Sequence, residues 1–138
     1  MKFRKAEINN AVNILAGINI SKIPDKDTKS VLYADYLYLR RIVREARSDE
    51  EEIVEKFRSD FQQEFFEVAE LRDKKQPVEG HDEFLSAEKD ALKLIADKWN
   101  ENVEVETKLI PFDAFISGTK NDSLTLEQTA MLEGIVIE

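Results

Sequence analysis

Along the middle of the chain, apolar side chains recur at steps of three and four. The series runs Leu32, Tyr36, Leu39, Val43 and Ala46, then, past a polar gap at Glu50, Ile53, Phe57, Phe61, Phe65 and Val68. A helix turns once every ~3.6 residues, so these positions share one face. No glycine or proline falls between Pro24 and Pro77. Ser48-x-x-Glu51 has the capping-box form that can start a helix. The apolar phase still carries across it, since Ala46 to Ile53 is two turns. The pattern therefore predicts one continuous or gently kinked helix, opened by Pro24 with Asp25 or Asp27 as its N-cap. The cluster Phe57, Phe61, Phe65 and Phe66 near its end is the expected centre of the core.

The flanks have their own periods. Ile8, Val12 and Leu15, with Ala11 beside them, predict a short amphipathic helix from Lys5 to about Ala16. Gly17 is placed to end it in a left-handed conformation. Ile18, Ile20 and Ile23 follow in a linker that packs down. After the stop at Lys74–Gly80, Asp82 is expected to cap a third helix to about Asn100, carrying Phe84, Ala91, Leu92, Ile95 and Trp99 on one face. A short turn makes two helices antiparallel neighbours, so this one should return onto the aromatic end of the long helix.

The tail changes period. Val103 to Leu109 alternates strictly, as a half-buried strand does. Pro111 ends that run, Phe112, Phe115 and Ile116 come after it, and Gly118–Ser123 reads as loop. Thr125-x-x-Gln128 is a second capping box, opening a short helix through Leu132 that Gly134 stops. Ile135-Val136-Ile137 is expected to close as a strand. The fold class is therefore mainly α (α+β): a long helix with an antiparallel returning helix, a short N-terminal helix and a small C-terminal β unit at about 101–138. All of it is expected to form a single domain, residues 1–138.

Composition narrows the function classes. At 138 residues with 42% hydrophobic content, a buried core is expected. Cysteine is absent, so disulfides, thiol catalysis and zinc–sulfur ligation are excluded. The opening Met1–Lys5 is basic but lacks the apolar stretch of a signal peptide. No run approaches the ~20 apolar residues of a membrane span. The cytosol is the expected compartment. The net charge of −9 argues against broad nucleic-acid binding. That charge is split: residues 1–48 hold ten Lys/Arg and five Asp/Glu, and residues 49–138 hold ten and 24. Such asymmetry invites the basic part to meet the acidic part, within a chain or between copies.

Few constellations carry chemistry. His81, the one histidine, lacks the converging partners of a zinc site or a nucleophile triad, and reads as a polar turn residue. Glu52-x-x-Glu55 and Glu70-x-x-Asp73 match in type the magnesium ligands of all-helical nucleotide pyrophosphohydrolases. Magnesium needs ligands ~2 Å away, whereas on one helix Glu52 and Glu70 would stand about 27 Å apart. Solvated carboxylates are the ordinary reading, and no metal or cofactor is expected. Arg40, Arg44 and Arg47 share a helical face with Arg41 beside it. Such a stripe can hold phosphates, but is expected to pair with Glu45, the Asp49–Glu52 run or acids elsewhere. Tyr33 and Tyr38 lie on different faces, so they form no stacking platform, and one of them is expected as an exposed contact ring.

The layout resembles small uncharacterised proteins encoded by phages and prophages. The likeness rests on the helix Lys5-Ala6-Glu7-Ile8-Asn9-Asn10-Ala11-Val12, the charged long helix, the alternating Val103-Glu104-Val105 and the Leu124-Thr125-Leu126-Glu127 start. It implies a virion-assembly or host-takeover accessory protein and carries over no catalytic residue.

Together these features favour a non-enzymatic interaction or assembly protein. The long helix outruns the helices available to cover it, so a homodimer or a stable complex with a protein partner is expected through Leu32, Tyr36, Leu39, Arg40, Val43, Arg44 and Arg47. A magnesium-dependent nucleotide hydrolase and a nucleic-acid-associated regulator are the alternatives.

Overall fold

The computed structural model describes all 138 residues. The chain forms two compact units, residues 1–45 with 100–138, and residues 46–99. The C-terminal segment, residues 100–138, is in the same unit as the N-terminal helix.

In the first unit, strand β1 (Lys2–Arg4) leads into helix α1 (Lys5–Ala16), which buries Ile8, Ala11, Val12 and Leu15. Gly17 is not left-handed: its φ of −84° is ordinary, and its N–H bonds back to the Ile14 carbonyl. Ile18, Ile20 and Ile23 are buried around a single 3-10 turn, as expected of the linker. Helix α2 (Lys26–Asp60) then starts on the Asp25 carboxylate, which accepts from the Thr28 N–H at 3.0 Å and hydroxyl at 2.6 Å. That pair satisfies one of the free amides at a helix start.

The alternating tail forms a shorter strand than its period suggests. Strand β2 (Asn102–Glu104) pairs antiparallel with β1, Phe3 opposite Val103. The antiparallel register sets Lys2 opposite Glu104, and past Val105, whose N–H bonds to the Met1 carbonyl, the Glu106 and Lys108 amides turn to the side chains of Tyr38 and Asp35 instead of a strand. Beyond the ladder Val105 is still buried and Lys108 still exposed. The apolar residues after Pro111 form helix α5 (Phe112–Gly118), with Phe115 turned fully inward, and the loop expected from Gly118 follows from Thr119 to Ser123. Helix α6 (Leu126–Leu132) opens on a complete Thr125–Gln128 capping box. Ile135–Ile137 is buried but forms only isolated bridges. Gly134, at φ +77°, turns the chain so that the Val136 and Ile137 amides bond to the Leu132 carbonyl rather than to a ladder.

The second unit contains the rest of α2, helix α3 (Gln62–Asp73) and helix α4 (Asp82–Asn100) up to Trp99. The helix is not continuous to residue 73. It breaks at Phe61 (φ −131°, ψ 44°), away from the Ser48 capping signal. The break keeps Phe57, Phe61 and Phe84 in mutual contact, with centroids 5.0 Å apart for 57–84 and 5.7 Å for 61–84. α4 returns antiparallel to α2: Phe84 meets Phe57, and Trp99 lies 5.6 Å under the Arg47 guanidinium. Arg72 also holds Glu88 by two bonds of 2.7 and 2.8 Å. Asp82 is the first helical residue rather than the cap, because the His81 carbonyl already accepts from Leu85 N–H.

The centre of the core is not the phenylalanine run. Phe57, Phe61, Phe65, Ile95 and Trp99 are half-buried and Phe66 is exposed. Most of the fully enclosed side chains, among them Ile8, Leu15, Leu32, Leu39, Phe115, Leu132 and Val136, lie in the first unit. No helix is long and apolar enough to cross a membrane.

Candidate interaction surface

The expected contact face on α2 is divided by the fold. Leu32, Leu39 and Val43 are at most 5% exposed, covered within the chain. Tyr36 and Arg40 are half-buried, and only Arg44 and Arg47 are exposed. Arg47 is engaged over Trp99. The apolar half of that face is thus core rather than interface. The segment after β2 accounts for part of the cover: Glu106 N–H donates to the Tyr38 hydroxyl and Lys108 N–H to Asp35 Oδ1, both at 3.2 Å. Thr107 pins the same segment from its other side by donating to the Ile135 carbonyl.

Asp35, which the apolar pattern passes over, sits in this seam and is 5% exposed. Its Oδ1 takes the Lys108 amide, and its Oδ2 is buried without a partner. Burial pushes the carboxyl up to about 6, against the opposing pull of the Lys108 amide and ammonium. Its spacing is a signal, three residues after Leu32 and four before Leu39, in the slot that the apolar series assigns to Tyr36.

The outward face of α2 presents a second, narrower series. Tyr33 is 57% exposed and Leu37 46%, and Arg41 and Arg44 succeed them at steps of four and three. These four side chains lie within one quarter-turn arc opposite the buried stripe. Arg40, Arg41 and Arg44 form no ion pair within the chain. For these three, the expected pairing with Glu45 and the Asp49–Glu52 run does not form. Of the tyrosines, Tyr33 is the exposed ring, and Tyr38 is half-buried under Glu106.

A concave apolar surface lies between α5 and α6. Phe112 and Ile116, one turn apart on α5, form one wall, and Leu126, Thr129, Ala130 and Glu133 on and just after α6 form the other. The buried Ile137 is its floor, and its volume is about 310 Å³. Phe112 is 51% exposed, Ile116 41% and Leu126 92%. Glu133 and Glu138 are its only charged lining groups. The sequence hides this groove because α5 is short and follows an alternating run, so Phe112, Phe115 and Ile116 suggest no element of their own. The three- and four-residue steps between Phe112, Phe115 and Ile116 are the signal that marks it.

The remaining constellations stay apart. His81 Nδ1 lies 2.9 Å from Glu64 Oε2, and Nε2 lies 3.9 Å from Glu67 Oε2, so the imidazole ties the start of α4 to α3. Glu52 and Glu55 are exposed on α2, Glu70 pairs with Lys74 at 2.8 Å, and Asp73 ends α3. No three His, Asp or Glu side chains converge as metal ligands would. No protein-family model, curated protein or solved structure matches the chain.

Proposed function

We propose that the protein is a non-enzymatic interaction or assembly protein that associates with itself through the outward face of α2. The observation that carries this reading is the exposed Tyr33–Leu37 pair continued by Arg41 and Arg44, cations with no carboxylate partner in their own chain. A ring and an aliphatic side chain one turn apart, flanked by guanidinium groups, have the composition that interface centres favour. The asymmetry of charge supports a partner that is acidic where this face is basic. Such a protein acts by contact and uses no cofactor. The resemblance to small phage and prophage proteins supports an assembly accessory as the setting.

Sedimentation equilibrium of the full chain at tens of micromolar, at low and high salt, tests the reading. Association that weakens with salt and is lost in Leu37→Glu is the expected result. A strict monomer under both conditions overturns it. So does an intact complex in Leu37→Glu. Salt-dependent binding of a DNA or RNA oligonucleotide by the monomer, lost with Arg41→Glu, would instead assign the stripe to phosphates.

A further inference from the structure

We infer that the α5–α6 groove is the acceptor for the outward face of α2 from a second copy of this chain. The inference rests on the self-association reading and names the surface that completes it. The groove is built to receive a helix. One wall is the i, i+4 pair Phe112 and Ile116 and the other the i, i+3, i+4 series Leu126, Thr129 and Ala130, over an apolar floor, the arrangement that takes an amphipathic helix by a few anchors.

Charge and spacing identify the occupant. The lining contains two glutamates and no cation, and neither Glu133 nor Glu138 is in an ion pair. On α2 the exposed apolar anchor Leu37 precedes the unpaired Arg44 by seven residues. On α6 the exposed apolar anchor Leu126 precedes Glu133 by the same seven. Both intervals are two helical turns, about 10 Å along the axis. A parallel α2 laid beside α6 with Leu37 against Leu126 therefore puts Arg44 against Glu133 without adjustment. Tyr33, one turn before Leu37, extends the apolar contact. The basic face and the acidic groove are different surfaces of the chain, so the contact is heterologous and can repeat from copy to copy.

The test uses two full-length variants at exposed positions, where substitution leaves the core untouched. Leu37→Glu removes the donor face and keeps the groove. Leu126→Glu removes the groove and keeps the face. Each alone is expected to associate about 30-fold more weakly, or not at all, by sedimentation equilibrium. Mixed in equal amounts, the two are expected to recover a 1:1 complex, because each supplies the half the other lacks. A charge swap adds a second readout: Arg44→Glu and Glu133→Arg each weaken association, and the two together in one chain restore it. If Leu37→Glu is monomeric while Leu126→Glu associates like the parent, the groove is not the acceptor, although the α2 face still mediates self-association. If the mixture stays monomeric, the proposed pairing is overturned. A parent chain that never associates removes both readings.

Discussion

Asp35→Asn is expected to stabilise the protein at neutral pH and to destabilise it in acid. Asp35 is 5% exposed, and one of its carboxylate oxygens has no hydrogen-bond partner. In the folded chain its carboxyl titrates at about 6, against an ordinary 3.8. The folded state therefore favours the protonated form, and the group lowers stability as pH rises from about 4 through about 6. At ~1.36 kcal/mol per pKa unit, that rise corresponds to about 3 kcal/mol at pH 7. The amide keeps an acceptor for the Lys108 N–H but buries an NH₂ beside the unpartnered position, which costs about 1–2 kcal/mol. A net gain of about 1–2 kcal/mol at pH 7 is expected, turning into a net cost of about 1–2 kcal/mol below pH 4, where only the buried NH₂ distinguishes the two chains. Lys108 is the charged group that opposes the burial effect. Urea denaturation of parent and variant at half-unit intervals from pH 4 to 7.5 reads the difference. Taking the difference matters, because Asp25, Glu88 and Glu104 are lowered by hydrogen bonds to Thr28, Arg72 and the amino terminus and act in the opposite direction. A parent–variant difference that stays flat across that range would refute the argument that burial controls this carboxyl.

Three further outcomes rest on the packing. Phe84 is 1% exposed against Phe57 and Phe61, so Phe84→Ala should cost about 3–5 kcal/mol in the unit of residues 46–99, and an unchanged thermal midpoint would contradict the aromatic cluster. Thr125→Ala removes the capping box of α6 and should cost about 1 kcal/mol by chemical denaturation, with a matching loss of self-association if the groove is the acceptor. Gly134→Ala places a side chain at φ +77° and should destabilise by about 1 kcal/mol or more, whereas a neutral result would mean that the turn after α6 relaxes freely.

The fold is legible wherever a local period meets a local stop signal. α1, α4 and α6 lie where apolar spacing and caps place them, and Thr125–Gln128 forms both of its capping bonds. Legibility fails where a distant partner decides. Val103–Leu109 alternates over seven positions, but its ladder with β1 ends at Glu104, and the Glu106 and Lys108 amides go to side chains of α2. Ile135–Ile137 has strand composition, but its amides are taken by the last carbonyls of α6. The break at Phe61 has no glycine or proline nearby, and its N-cap makes no side-chain capping bond. It accompanies the packing of two rings, Phe57 and Phe61, against Phe84, which is 23 residues later in the sequence.

The candidate surface is half legible for a related reason. Periodicity identifies the side of a helix that must be covered, and on α2 that side reads as a contact between copies. The chain covers it with its own tail, fastened at Asp35 and Tyr38. A contact surface must then be sought on the opposite side, where an exposed leucine or tyrosine alone would mean little. Tyr33 and Leu37 gain meaning from the arginines one and two turns further along α2: cations with no partner in the chain, at an interval matched by Leu126 and Glu133 on α6. Neither half of that match stands out alone, because unpaired surface arginines and shallow apolar grooves are both common. The pairing is specific because the apolar-to-charge interval is the same on both helices and the charges are opposite. A shift of one residue on either helix would rotate the charge by about 100° and break the match. The match therefore makes a demand that chance exposure does not: moving the arginine from 44 to 45 on α2, by Arg44→Glu with Glu45→Arg, should abolish association while leaving the net charge and both anchors unchanged.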